Sequence, residues 1–325
     1  MANLKKIAVL TSGGDAPGMN ACVRAVVRSA INNGLSVNGI YRGYQGMIEG
    51  DFIQCEKHTV SNILHRGGTF LKTARSDDFR TKEGRQKAYE QLQANEVDAL
   101  VVIGGDGSFT GAAILHDEFG IPVMGCPGTI DNDLFGTDFT IGYDTAVNTV
   151  VDAVDRIRDT AESHNRLFFV EVMGRDAGLI ALRSGIASGA EAVLIPETVT
   201  YIDELIETLH TGYLQHKTSA IIIVAEGDDE GGAYEIAEKV GKKFNSYETK
   251  VTVLGHIQRG GRPSAYDRVM ASRMGNRAVE ALLRGETNKM VGIQRNELVL
   301  VPFEKAIKHH KQINQELLNL VEILS

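Results

Sequence analysis

Three groups of residues in this chain are spaced for work on a phosphate. The run Val101-Val-Ile-Gly-Gly-Asp-Gly-Ser108 sets two glycines, a carboxylate, a third glycine and a hydroxyl after an apolar stretch. Glycines let a backbone approach a ligand closely, and a helix beginning there turns N–H groups toward an anion. Asp106 would repel that anion unless a divalent cation such as Mg²⁺ stood between them. Taken alone, a tight turn with a solvated Asp explains the same run. In the second group, Pro127-Gly-Thr-Ile-Asp-Asn-Asp133, Asp131 and Asp133 are close enough to share a cation or to divide the roles of base and metal partner. Third, Arg75, Arg175 and Arg259 each sit in or beside a glycine-containing turn, where a guanidinium suits bidentate contact with phosphate. Neither a GxGxxG dinucleotide fingerprint nor a Walker-type P-loop occurs where it would be needed.

The elements that must position these groups follow a recurring pattern of strand, glycine-rich or acidic turn, and helix. Apolar runs predict strands at 7–10, 99–103, 123–126, 167–172, 192–195, 220–225 and 251–254. Amphipathic stretches lie between them. Val147, Val150, Val151, Val154 and Ile157 form one apolar helical stripe. Pro17 is expected in the first turn of a helix ending near Gly34, and 315–324 reads as a packing helix through Leu317, Leu318, Val321 and Leu324. The pattern is that of mostly parallel sheet covered by helices. Five unusual turns then stand beyond the carboxyl ends of strands, where open α/β sheets bind ligands: Thr11 to Asp15, Gly104 to Ser108, Pro127 to Asp133, Met173 to Gly178, and Glu226-Gly227.

Composition narrows the function classes. The 325 residues suffice for two α/β lobes. A net charge of −8 spread along the chain argues against a nucleic-acid binder. With 35 glycines but only 6 prolines, tight turns are favoured over disordered linkers. The 3 cysteines, Cys22, Cys55 and Cys126, form no CxxC pair, which suits a reducing, cytoplasmic setting. Apolar runs are too short for a membrane span, and no signal-peptide core is evident.

Together these motifs resemble the 6-phosphofructokinase family, in its short bacterial ATP-dependent form. Thr11-Ser-Gly-Gly-Asp-Ala-Pro-Gly-Met-Asn20, Arg66-Gly-Gly-Thr-Phe70, the 104–108 and 127–133 turns, Val172-Met-Gly-Arg175 and Leu254-Gly-His-Ile-Gln-Arg-Gly-Gly261 appear in family order. The resemblance implies two Rossmann-like three-layer α/β/α lobes with mostly parallel sheets and the site in the cleft between them. It implies an ATP-binding lobe at 1–142 and 258–305, and a fructose 6-phosphate lobe at 143–257 and 306–325. The implied reaction moves the γ-phosphoryl of Mg-ATP to the sugar 1-hydroxyl by direct transfer.

Roles carry over by position. Asp131 resembles the base, Asp106 the Mg²⁺ partner with Asp133 supporting, and Gly14, Arg75, Thr129 and Arg175 the groups that stabilise the moving phosphoryl. Gly14, Tyr44, Arg75, Ser76, Gly105, Asp106, Gly107 and Ser108 match the ATP site. Thr129, Asp131, Arg166, Met173, Gly174, Arg175, Glu226, Lys250, His256 and Arg259 match the sugar-phosphate site. In the family Arg166 reaches in from a neighbouring subunit, which implies a homotetramer with shared sites.

Pyrophosphate-dependent relatives typically carry Asp at the position of Gly107 and Lys at that of Gly128, so two glycines here read as an ATP site. A non-catalytic regulatory subunit on this fold should have lost Asp106, Asp131 or Arg175, and all three are present. Two departures stand out. Lys250 replaces a usual Arg, keeping charge without the planar fork, so weaker sugar-phosphate binding is expected. The positions that bind ADP or phosphoenolpyruvate in the family are Arg24, Arg28, Lys57, Asn62, Arg158, Gly189, Glu191, Gln215 and Lys217. Lys57, Asn62 and Gln215 stand where many members have Arg, Asp and Lys, and weakened effector control is expected.

Overall fold

Aliphatic runs with no polar alternation build strands buried on both faces, as parallel sheet covered by helices requires. Ile7 to Leu10 and Leu100 to Ile103 are fully buried in the computed structural model, which describes residues 4–309 and 311–324. The chain forms two compact units. One holds the residues up to Ile130, Leu134–Thr145 and Arg259–Lys311; the other holds Asp131–Asp133, Ala146–Gln258 and the chain from Gln312 onward.

The first unit runs through β1 (Lys6–Thr11), α1 (Met19–Asn32), β2 (Ser36–Ile40), α2 (Gly43–Glu49), β3 (Phe52–Gln54), α3 (Lys82–Ala94), β4 (Ala99–Gly104), α4 (Asp106–Phe119) and β5 (Val123–Pro127). Helix α5 (Tyr143–Glu162) carries the chain into the second unit. There it forms β6 (Arg166–Val172), α6 (Leu179–Ser188), β7 (Ala192–Leu194), α7 (Ile202–Leu214), β8 (Ala220–Ala225), α8 (Ala233–Gly241) and β9 (Glu248–Val253). The first unit is then completed by α9 (Ala265–Leu283), β10 (Lys289–Gln294), β11 (Glu297–Pro302) and α10 (Phe303–Lys308), and α11 (Gln315–Leu324) ends the described chain in the second.

The first sheet has the order β11-β10-β5-β4-β1-β2-β3, parallel except for β3 and β11 at its edges. The second is wholly parallel, β7-β8-β6-β9. Phe109 and Phe303 stack at 5.0 Å in the first core, where truncating either ring to Ala costs about 3–5 kcal/mol. A second core fills with Leu167, Phe169, Ile222, Val224 and Ile236. The edge strand β9 is instead half-exposed and carries Glu248 and Lys250, as edges that avoid further pairing do.

All seven expected strands form. Pro17 does not enter the helix: Gly18 is the N-cap of α1 and the proline precedes it. The valine stripe of α5 is buried at Val147, Val150 and Val154. Helix α11 forms as expected but buries none of its residues, and Leu324 is exposed. Phe303 and Ala306 lie in the core of the first unit. Among the described residues no helix is long and apolar enough to cross a membrane.

Candidate active site

In the first sheet β1 lies between β2 and β4, so the connections after β1 and β4 depart to opposite sides and leave a crevice at their carboxyl ends. The turns 11–15 and 104–108 line it and touch each other. Ser12 N–H donates to the Ile103 carbonyl at 2.9 Å, and a Cβ on Gly104 would stand 2.6 Å from the Ser12 carbonyl oxygen. Only glycine fits there. Gly105 is the N-cap of α4, with Asp106 and Gly107 exposed in its first turn. The N–H groups and dipole of that helix end favour an anion.

Behind this turn, the Tyr44 hydroxyl donates to the Ser108 carbonyl at 2.5 Å, and the ring lies flat on Phe79 with centroids 4.0 Å apart. Burial drives the Tyr44 phenol far above its ordinary pKa. Tyr44 therefore braces the turn and offers a ligand little surface. The Ser76 hydroxyl donates to Gln45 Oε1 at 2.7 Å, and Arg75 is exposed beside it. Thr129 is buried, its carbonyl accepting the Thr140 hydroxyl at 2.6 Å. Arg259 folds back onto the first turn: Nη1 donates to the Asp15 carbonyl at 3.4 Å, and any side chain on Gly14 would strike its guanidinium.

In the second unit Asp131 is only 3 % exposed, and Arg175 Nε approaches its Oδ2 at 3.7 Å from the solvent side. Arg175 adopts φ 53°, after Gly174 at φ 149°. Glu226, following β8, accepts the Gly174 and Arg175 backbone N–H groups at 3.2 and 2.7 Å. The Met173 N–H goes to Oε1 of the fully buried Gln258 at 3.2 Å, and Gln258 Nε2 donates to the Gly255 carbonyl at 3.0 Å. His256 is exposed on the 3₁₀ turn Gly255–Arg259. At the β6–β9 edge Arg166 and Lys250 share Glu248, with N···O distances of 2.9 and 2.6 Å. Lys250 and Arg166 hold the Glu248 carboxyl down to about 2. Asp133 is half-buried.

The expected effector residues divide between the units. Arg24 and Arg28 are half-buried on α1; burial, then the neighbouring Arg28 charge, lowers the Arg24 pKa. Lys57 and Asn62 are exposed. In the second unit Arg158 Nη2 donates to the Ser188 and Gly189 carbonyls at 2.6 and 2.9 Å. Glu191, Gln215 and Lys217 line a cavity of about 450 Å³ together with Glu204, Glu207 and Tyr247.

Three polar residues have roles that the sequence reading missed. Glu248 is the register partner of Arg166, a relation visible only once β6 and β9 are known to pair. Gln258 lies inside the Leu254–Gly261 motif, but its burial has no sequence signal. Asp267 had one: Ser264-Ala-Tyr-Asp267 has capping-box spacing. Ser264 Oγ accepts the Asp267 N–H at 3.1 Å, while the Asp267 carboxylate accepts the Gly142 and Thr145 N–H groups and the Thr145 hydroxyl at 2.5–2.9 Å. Burial pushes the Asp267 carboxyl up to about 6 against those bonds.

Comparison with known proteins matches a profile described as Phosphofructokinase to residues 6–282. An ATP-dependent 6-phosphofructokinase 2 of Bacteroides thetaiotaomicron is 56 % identical over the full length of both chains. An ATP-dependent 6-phosphofructokinase of Cytophaga hutchinsonii is 55 % identical over 99 % of this chain and 98 % of its own. Among solved structures, phosphofructokinase from Saccharomyces cerevisiae aligns over 94 % of this chain with TM-score 0.90 and 40 % identity, and this chain spans 45 % of that one.

Proposed function

The chain belongs to the phosphofructokinase family, and from that premise we propose how its residues move a phosphoryl group. It is a glycolytic kinase that transfers the γ-phosphoryl of ATP to the 1-hydroxyl of fructose 6-phosphate, giving ADP and fructose 1,6-bisphosphate. The observation that carries the assignment of roles is the pairing of the buried Asp131 carboxylate with the solvent-facing guanidinium of Arg175.

Asp131 takes the proton of the sugar 1-hydroxyl as that oxygen attacks phosphorus. A loose transition state needs little proton transfer early, so a carboxylate suffices as base. Arg175, Arg75, the Gly14 backbone and Thr129 steady the charge on the moving phosphoryl. The exposed amino end of α4, at Asp106, Gly107 and Ser108, receives the donor phosphates. Glu226 and His256 orient the sugar, and Arg166, Lys250 and Arg259 take its 6-phosphate.

Asp106 would hold Mg²⁺. The fit is that of a cation taking one or two protein carboxylates and its remaining oxygens from substrate phosphates, and Asp106 is exposed beside two glycines. Bound there, Mg²⁺ neutralises phosphate charge. We further assign the enzyme to the cytoplasm as a homotetramer, its sugar site completed by a neighbour's copy of Arg166, with ADP and phosphoenolpyruvate as effectors.

A donor comparison tests the reading. Purified protein with fructose 6-phosphate and Mg²⁺ is expected to form fructose 1,6-bisphosphate from ATP and not from pyrophosphate. Product from pyrophosphate would overturn the donor assignment, and product from neither would overturn the activity.

A further inference from the structure

The strands β6 and β9 pair in parallel with Arg166 opposite Glu248 and Phe168 opposite Lys250. Glu248 and Lys250, two residues apart on one strand, project from the same face. Three charged side chains are thereby gathered at one sheet edge: Arg166 Nε reaches Glu248 Oε2 at 2.9 Å and Lys250 Nζ reaches Oε1 at 2.6 Å. Each carboxylate oxygen serves one cation. Arg166 Nη1 is also tethered to Thr160 Oγ1 at 3.3 Å.

We infer that Glu248 is a built-in competitor for the sugar phosphate, occupying the two cations that the substrate's 6-phosphate needs and so setting the affinity for fructose 6-phosphate. The inference rests on the assignment of Arg166 and Lys250 to the sugar site made above. All three side chains lie at the surface of the chain, with exposures of 24 %, 54 % and 41 % for Arg166, Glu248 and Lys250, so a dianion in the sugar site that this surface completes meets the cluster directly. While Glu248 is present the three side chains sum to a single positive charge. An arriving phosphate must displace the carboxylate or share the cations with it.

Lys250 sharpens the competition. A guanidinium has five donors in a planar fork and can serve a carboxylate and a phosphate together, whereas an ammonium is a compact point charge that a nearby carboxylate satisfies more fully. The opposite role for Glu248, a scaffold holding two repelling cations in register, predicts the opposite sign in kinetics.

The test is a KM-against-kcat split. Glu248→Gln removes the charge and keeps the shape. Two exposed ion pairs are lost, and the KM for fructose 6-phosphate is expected to fall roughly three- to tenfold with kcat within about twofold. Glu248→Asp retains the charge, and its KM should lie nearer the parent's. The dissociation constant for fructose 6-phosphate, measured by equilibrium dialysis, should move with KM. Arg166→Ala serves as the control and should raise KM at least about tenfold. If that control raises KM while Glu248→Gln leaves it unchanged or raises it, the competitor role is overturned and the sugar-site reading stands. If Arg166→Ala leaves KM unmoved, the sugar-site reading fails and the inference falls with it.

Discussion

The Glu226 carboxylate accepts the backbone N–H of Arg175 at 2.7 Å, and Arg175 is a non-glycine residue in the left-handed region at φ 53°. That conformation costs roughly 1–2 kcal/mol and persists because its surroundings dictate it. The same Glu226 oxygen takes the Gly174 N–H at 3.2 Å, so one carboxylate fixes the turn from which Arg175 points to Asp131. Glu226→Ala should lower kcat/KM for fructose 6-phosphate by at least about a hundredfold, since small misplacements of a catalytic group are expensive. Glu226→Gln keeps an accepting oxygen and should lose less. Steady-state kinetics decide, and equal losses in the two variants would mean that the turn does not depend on this acceptor.

How much of this was legible beforehand depended on where the information lay. The seven buried strands were readable because uninterrupted aliphatic runs mark parallel sheet, and the five ligand-side turns followed from them. Strand β2 escaped because Asn38 and Gly39 interrupt a short run, and β3 has only 3 residues. The β10–β11 hairpin escaped because its turn, Arg295-Asn296, lacks glycine although both residues adopt positive φ of 49° and 66°. Asp106, Asp131 and Arg175 sat in motifs. Glu248, Gln258 and Asp267 act through partners distant in sequence, and such partnerships exist only after the strands have paired and the helices packed.

Donor choice turns on Gly107 and Gly128, and the structure gives the two positions different surroundings. A Cβ on Gly107 would meet nothing within 4 Å, whereas one on Gly128 would press on Met19 Cε at 2.9 Å and Ile103 Cγ2 at 3.1 Å. Gly107→Asp should therefore fold normally, a carboxylate in the first turn of α4 being favourable to the helix by about 0.3–1 kcal/mol. It should nevertheless raise the KM for ATP at least about tenfold by repelling the donor phosphates. Gly128→Lys should lower stability by about 1–3 kcal/mol through overpacking. Melting temperature and ATP titration separate the two effects; unchanged ATP kinetics in Gly107→Asp would show that position 107 does not face the donor.

The buried Asp267 makes stability depend on pH in a direction unusual for a carboxylate. Its folded pKa of about 6 lies above the ordinary value of 3.8 because burial outweighs the hydrogen bonds from Thr145 and Gly142. Between those values the folded state binds more protons than the unfolded state, so this group's contribution is largest below about pH 4 and declines as pH rises through 6. The parent's advantage over Asp267→Ala should shrink by about 2 kcal/mol between pH 4 and pH 7. Urea unfolding of both proteins across that range measures it. An advantage that grows with pH would mean that the three donors outweigh burial.

Effector control is expected to be weak, and the cavity around Gln215 gives the physical reason. Its lining brings Glu191, Glu204 and Glu207 against a single lysine, Lys217. Glu191 is also engaged, its Oε2 accepting the Ile221 N–H at 2.6 Å, so it remains fixed at the wall. An anion entering there meets an excess of negative charge, and Gln215 supplies none of the positive charge many relatives have at this position. Gln215→Lys adds a cation that a phosphate can use, and opposite charges at 4 Å near a protein surface attract by a few kcal/mol before screening. At subsaturating fructose 6-phosphate, the phosphoenolpyruvate concentration giving half inhibition should fall roughly five- to tenfold in Gln215→Lys, with kcat unchanged in the absence of effector. Sensitivity identical to the parent's would show that position 215 lies outside the anion's reach, and strong inhibition of the parent itself would refute the weakened site.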